Sequence, residues 1–381
     1  MERLSVRTGA GAGQDRAGDE RTRAAGPVRG RRVRMGKVLV GTCSWTDRAL
    51  LSSGWYPPER NDPEGRLRHY ADRFPVVEVD ATYYALPSTR NSLLWTERTP
   101  AGFRFDVKAF SLLTGHPTPP NALPADLRSH LTRHHRRPGR GSADPGLLDE
   151  VWLRFGGALE PLRRADRLGT LLFQFPPWFA PGPRSHAFLL RCRERTGGWP
   201  VAVEFRHPDW WRRTRRAATA ALLADLGFAA VAVDMVQTLP ASIPPATPVT
   251  TRNLAVARFH GRNSAWGTGT KEERFRHLYS EAELSEWVPR LKSMADRTEE
   301  LHVLFNNCCA DAAVRSAAAM RRFLRRQAPP GSRRRTGAPR TDRTERVLTG
   351  FRWGPAPRSG RGCASGPVRA GPGDPGPPAG T

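Results

Sequence analysis

Residues 201–206 read Val-Ala-Val-Glu-Phe-Arg. Successive side chains of a strand alternate between faces, so Val203 and Phe205 share one face and Ala202, Glu204 and Arg206 the other. The apolar face suits packing against helices. The polar face must then point where its charges can be paired. Seven other short apolar runs end in polar residues in the same way, at 38–40, 76–80, 103–108, 171–175, 230–234, 256–260 and 301–306. Between most of them the spacing turns helical. Leu147, Leu148, Val151, Trp152, Phe155, Leu159 and Leu162 form one stripe; Ala217, Ala221, Leu222 and Leu226 form another; Leu284, Trp287, Val288 and Leu291 form a third. Strand–helix alternation repeated eight times implies parallel pairing through right-handed crossovers. Eight such units in roughly 290 residues is the size of a (β/α)8 TIM-type barrel. A doubly wound open sheet is the alternative, but no GxGxxG or GxxxxGK[ST] follows any strand.

The chain has 381 residues and a net charge of +25, and much of that excess sits at the ends. Residues 1–34 carry nine arginines against four acids; residues 328–381 carry ten against three, with eleven glycines and ten prolines. Such segments bury too little apolar surface to offset their ordering entropy, so both are expected to be disordered basic arms around a folded domain at 35–327. Met35 is a candidate for the true start. No run has the 18 or more apolar residues of a membrane helix. The N-terminus lacks an apolar signal core, and the Arg31-Arg32 pair is not followed by one. Five cysteines without a CxxC spacing argue against a disulfide framework or a structural zinc, and for a reducing, cytoplasmic compartment. The connection at 110–150 is proline-rich and carries His116, His130, His134 and His135, which suits a lid or an insert. The His134-His135-Arg136-Arg137 run reads as solvated surface.

Alternation can be followed strand by strand. It points Glu78, Asp80, Thr82 and Tyr84 inward from the second strand, Asp106 and Lys108 from the third, and Gln174 from the fourth. Glu204 and Arg206 follow from the fifth, Asp234 from the sixth, Arg258 and His260 from the seventh, and Asn306 from the eighth. These groups gather at the C-terminal end of the barrel, where barrel enzymes hold their active sites, and the opposite end reads as apolar. Lys108, Glu204 and His260 are the candidate catalytic residues. Lys108 could be a base, a Schiff-base amine or an anion clamp; Glu204 could exchange protons; His260 titrates near neutrality. Tyr84, Gln174, Arg206, Asp234, Arg258 and Asn306 are candidate substrate contacts. The bland alternative is a self-satisfied network, with Glu204 on Arg206 or Lys108 and Asp234 on Arg258. Glu204, Asp234 and His260 could surround a metal, but no HxH or HExxH spacing supports it, so neither metal nor cofactor is expected.

The runs Gly41-Thr-Cys-Ser-Trp45, Gly54-Trp-Tyr-Pro-Pro58, Glu78-Val-Asp-Ala-Thr-Tyr-Tyr-Ala-Leu-Pro-Ser88 and Phe103-Arg-Phe-Asp-Val-Lys-Ala109 follow one another in order. Leu171-Leu-Phe-Gln-Phe-Pro-Pro177, Val203-Glu-Phe-Arg206, Arg258-Phe-His-Gly-Arg262 and Phe305-Asn-Asn-Cys308 complete the set. Together they resemble the domain-of-unknown-function 72, or YecE-like, family over about residues 36–327. The resemblance implies a TIM-type barrel analogous to endonuclease-IV-type barrels, and no particular reaction. His207 stands where that family more often has Asn, and Arg315-Ser316-Ala317 replaces a usual Arg-Asn-Ala. The segment from Ser264 to Thr270 is short and glycine-rich, and neither arm belongs to the pattern.

Three functions fit. The first is acid/base chemistry on a polar or anionic small molecule at the C-terminal face. The second is an endonuclease-like phosphoesterase or nucleic-acid-binding protein, favoured by a basic domain with Trp45, Trp55, Trp95 and Trp266 near motif loops. The third is a non-catalytic ligand-binding module. The arms suit weak, non-specific nucleic-acid binding, no membrane partner is expected, and oligomeric state leaves no signature.

Overall fold

The computed structural model describes residues 35–130 and 145–326. Eight strands close into a barrel in chain order: β1 Lys37–Cys43, β2 Val76–Val79, β3 Arg104–Lys108, β4 Leu168–Gln174, β5 Val201–Glu204, β6 Ala229–Asp234, β7 Leu254–Phe259 and β8 Glu300–Phe305. Every neighbouring pair is parallel, including β8 with β1. The helices are α1 Arg48–Ser52, α2 Pro63–Ala71, α3 Thr89–Glu97, α4 Pro145–Arg164, α5 Pro183–Thr196, α6 Arg216–Asp225, α7 Lys271–Arg274, α8 Glu281–Ala295 and α9 Ala312–Arg326. Their starts follow capping chemistry. Asp62 accepts from the amides of Glu64 and Gly65, Ser88 from that of Asn91, and Ser280 with Glu283 forms a capping box.

The TIM-type barrel expected from the alternation is therefore present. The basic arms, the Arg31-Arg32 pair and the His134–Arg137 run lie outside the described residues. The connection after β3 is partly packed: Phe110, Leu112, Leu113, Leu123 and Leu127 are buried, and α4 already begins at Pro145. β4 starts three residues before the run at 171–175. Its early residue Gly169 hides it, because glycine interrupts the apolar pattern. Gly169 sits where the β3–β4 register shifts, and a Cβ there would stand 2.2 Å from Asp106 Oδ1. Gly41 is as constrained, since a Cβ would lie 1.9 Å from the Val76 carbonyl oxygen of β2.

Register decides which face each residue takes. Cys43 pairs with Glu78 and Glu78 with Asp106; Gln174 pairs with Glu204. These residues face inward, as alternation predicts for Glu78, Asp106, Gln174 and Glu204. β6 is the correction. Val233 pairs with Arg258, and Arg258 with Leu304, so Val231 and Val233 face the interior. Asp234 pairs with Phe259 and faces the helix layer. Its carboxylate accepts from Arg262 Nη2 (2.8 Å), Tyr279 Oη (2.6 Å) and Trp287 Nε1 (2.7 Å). The sequence Ala-Ala-Val-Ala-Val-Asp is apolar on both faces, so hydrophobicity could not choose between them.

Tyr84 is a second correction. β2 ends at Val79, and Ala81–Tyr83 winds into a 3-10 turn, which breaks the period-two alternation. Tyr84 is 52% exposed at the rim, and its neighbour Tyr83 takes the place beside Lys108.

A third correction concerns the opposite end, which is not apolar. Glu300 meets Lys37 and Arg104, each at 3.4 Å, and Arg104 also meets Asp166 at 2.8 Å. Above them His302 is fully buried between two carboxylates, with Nδ1 2.9 Å from Asp106 and Nε2 3.3 Å from Glu300. Burial opposes its charge, but Asp106 and then Glu300 raise it to about 9. Both ring nitrogens then donate, as an imidazolium requires. Glu300 is held at about 2 against burial, chiefly by His302 and Arg104.

A pH-dependent stability follows. A histidine ordinarily titrates near 6.5, and His302 titrates higher in the folded state, so its contribution is complete below 6.5 and lost as pH rises through about 9. At about 1.4 kcal/mol per unit, the rise from 6.5 to about 9 amounts to about 3–4 kcal/mol. Urea midpoints of the wild type should fall over that range, and His302→Gln should lack the slope whatever its absolute stability. The same slope in both proteins would assign it to another group.

Candidate functional site

The residue at the centre of the C-terminal end is Arg258, the second-last residue of β7, with no exposed surface. Its Nε and Nη2 donate to Glu78 Oε2 (2.9 Å) and Oε1 (2.7 Å), a two-pronged contact. Nη1 donates to Glu204 Oε2 and to Gln174 Oε1 (3.2 Å), and Nη2 lies 3.6 Å from Cys43 Sγ. One buried cation thus joins β7 to β1, β2, β4 and β5.

The remaining oxygen of Glu204 accepts from Arg206 Nη1 (2.8 Å) and from His260 Nε2 (3.1 Å). Asn306 Nδ2 lies 2.9 Å from His260 Nδ1. Burial would raise the Glu204 carboxyl, but Arg258, His260 and Arg206 overcome it and hold Glu204 well below the usual carboxylate range. Glu78 goes the other way: burial raises it, and Arg258 and Lys108 offset this only in part. Burial pushes His260 down to about 4; Glu204 opposes this and Arg206 adds to it. His260 is neutral at pH 7, so Nε2–H donates to Glu204 and Nδ1 accepts from Asn306, a tautomer assigned from these partners. Both nitrogens are engaged. Glu204 and His260 therefore belong to a hydrogen-bonded frame in which both carboxylate oxygens and both ring nitrogens are engaged.

Lys108 is placed differently. Its Nζ donates to Asp80 Oδ1 at 2.9 Å and stands 4.6 Å from the centre of the Tyr83 ring, while the Thr82 hydroxyl holds its carbonyl at 2.6 Å. Burial opposes the charge, but Asp80 raises the ammonium above its ordinary value. Of the three roles open to Lys108, this favours the anion clamp, because base and Schiff-base chemistry need the free amine. The Lys108 and Arg206 side chains keep 11% and 14% of their surface, whereas Arg258 and Glu204 keep none. These two cations keep some exposure above the frame, Lys108 beside Asp80, which keeps 29%, and Arg206 beside the buried Glu204.

Gln174, Arg206, Arg258 and Asn306 thus gather with Lys108, Glu204 and His260, whereas Asp234 and Tyr84 do not. With Asp234 on the far side of the barrel wall, the Glu204–Asp234–His260 trio is not assembled. Among the described residues no three His, Cys, Asp or Glu side chains converge as a metal cage. His207 caps the turn at Pro208–Trp210 by accepting from the Asp209 amide, and the buried Ser316 hydroxyl meets Asn307 Nδ2 at 3.3 Å. A cavity of about 520 Å3 opens elsewhere, at the foot of the barrel beside Phe74, Phe103 and Leu324.

Sequence reasoning missed His116, Tyr83, Trp178 and Cys43 at this end. His116 Nδ1 meets the Thr114 hydroxyl at 2.8 Å, and its ring stands 5.2 Å from Tyr83 and 6.0 Å from Trp178. Burial, with Lys108 and Arg206, pushes it down to about 4. All but Cys43 sit on connections, where no strand period marks direction; the one available signal was aromatic residues just beyond β2 and β4. Trp266, from the short segment after β7, covers Arg206 at 5.1 Å.

The sequence pattern of the family described as "Protein of unknown function DUF72" matches residues 39–341, past the boundary expected at 327. The chain is 30% identical over 276 residues to UPF0759 protein YunF of Bacillus subtilis (strain 168), covering 71% of this chain and 88% of that protein. It is 28% identical over 154 residues to UPF0759 protein YecE of Escherichia coli (strain K12), covering 40% and 46%. A crystal structure of a DUF72 family protein from Thermotoga maritima MSB8 superposes with a TM-score of 0.60 at 30% identity, over 76% of this chain and 99% of that one. One from Enterococcus faecalis V583 does so with a TM-score of 0.61 at 24% identity, over 76% and 98%, and speaks for the fold alone.

The frame and the clamp separate under mutation. Arg258→Leu leaves two buried carboxylates without their cation and should cost about 3–5 kcal/mol. Lys108→Met leaves Asp80, whose side chain keeps 29% of its surface, and should cost below about 2 kcal/mol. Urea midpoints of the two variants compare them directly. An Arg258→Leu protein as stable as wild type would remove the frame from this account.

Proposed function

The chain belongs to the DUF72 family, and on that footing we propose that the C-terminal mouth of its barrel takes a small anionic molecule held by Lys108 and Arg206. The observation that carries this is the pair of cations, Lys108 beside Asp80 and Arg206 beside Glu204, that keep some exposure above a fully buried frame. A cation in a half-desolvated mouth gains from an anion more than it would in bulk water. Barrel enzymes work at this face, which supports an enzymatic role. In that role Glu204, His260 and Arg258 hold Arg206 and the floor in place, and proton transfer falls to groups outside the Glu204–His260 pair. We place the protein in the cytoplasm as part of the same reading, supported by the free thiols of Cys43, Cys192 and Cys309. Among the described residues no helix is long and apolar enough to cross a membrane.

The test is a thermal-shift screen of anionic, neutral and cationic small metabolites. A ligand at a hundred times its Kd stabilises by about 2.7 kcal/mol, which raises Tm by roughly 4–5 °C in a domain of this size. Anionic compounds should produce the shift in the wild type and lose it in the Lys108→Met, Arg206→Met double variant. Stabilisation by neutral compounds that survives in the double variant would overturn the reading.

A further inference from the structure

Resting on the anion reading above, we propose that the molecule taken at the mouth carries its anionic group on a flat ring, seated against an arc formed by Tyr83, His116 and Trp178. Three connections build the arc, those after β2, β3 and β4. Ring centres lie 5.2 Å from Tyr83 to His116 and 6.0 Å from His116 to Trp178. Trp178 is 44% exposed, while Trp210 and Trp211, on the connection after β5, are buried. The arc adjoins Lys108 directly and lies within the field of Arg206. Lys108 Nζ sits over Tyr83 at 4.6 Å, and Lys108 and Arg206 both act on His116. Across the mouth, Trp266 covers Arg206. Cations set among ring faces and edges recognise an anion and the ring that bears it together: the anion meets the ammonium and guanidinium, and the ring stacks or packs edge to face.

His116 adds a signature. The charged groups that act on it are Lys108 from β3, itself paired with Asp80, and Arg206 beyond β5; the other groups facing it are the Thr114 hydroxyl and the rings of Tyr83 and Trp178. With the mouth open both cations disfavour its protonation. An anion between them offsets their field, so His116 takes up a proton more readily in the complex.

Calorimetric titration of the full chain tests this with two matched pairs: phenyl phosphate against glycerol 3-phosphate, and benzoate against acetate. The pairs separate phosphoryl from carboxylate ligands. In whichever pair binds, the ring-bearing member should bind about three- to tenfold tighter, the range of one aromatic contact. Trp178→Ala should abolish that preference while retaining anion binding. Titrations near pH 5 in buffers of different ionisation heat should show proton uptake that His116→Gln loses. Equal affinity within each pair, or a preference that survives Trp178→Ala, would overturn the ring proposal and leave the anion reading standing. Binding of no anion that depends on Lys108 and Arg206 would overturn both.

Discussion

A guanidinium with no exposed surface, Arg258, stands between two carboxylates with none, Glu78 and Glu204. Removing such charges from water costs several kcal/mol per ion, recovered only when geometry is close and every donor and acceptor is used. Here it is. All three guanidinium nitrogens donate, and Gln174 and Cys43 take what the carboxylates leave. The two-pronged contact with Glu78 spans the barrel from β7 to β2, and the contact with Glu204 spans it to β5. A one-residue slip in any of these strands would turn its charge into the helix layer and strand the others. The pairing therefore ties the closed register to the chemistry of the mouth.

The two buried histidines of the strand set show how partners decide protonation. His302 lies between Asp106 and Glu300 and is an imidazolium. His260 shares Glu204 with two guanidinium groups and accepts from an amide, and it is neutral. Both are almost fully buried, so desolvation disfavours charge in each. Local charge accounts for the difference: His302 has two carboxylates, Asp106 and Glu300, whereas His260 has one, Glu204, which it shares with two arginines.

Burial grades the mouth from floor to rim. The floor of Arg258, Glu78, Glu204 and His260 is hydrogen-bonded throughout, and it holds Arg206 through Glu204. Above it stand Lys108 and Arg206, then the rings of Tyr83, His116 and Trp178. A ligand can exchange contacts with the upper groups without breaking the floor. That order suits a site that must be rigid where it positions and open where it binds.

The sequence by itself determined the barrel, because period-two strands and 3.6-period helices alternating eight times leave few other topologies. It also determined which end would be polar for Lys108, Gln174, Glu204, Arg206, Arg258, His260 and Asn306, each on a strand, or just past one, whose other face is plainly apolar. Where that contrast vanished, the sequence was silent. β6 is apolar on both faces, so only pairing with β7 could turn Asp234 outward. Past Val79 the chain winds into a 3-10 turn, and Tyr83 rather than Tyr84 meets Lys108. The polar foot around His302 escaped notice because its partners, Asp106 and Glu300, lie 196 residues and two residues away and meet only across the closed barrel. How far Glu204 and His260 are engaged was likewise decided in three dimensions: the Glu204–Arg206 pair was legible along β5, but Arg258 and His260 reach Glu204, and Asn306 reaches His260, from other strands.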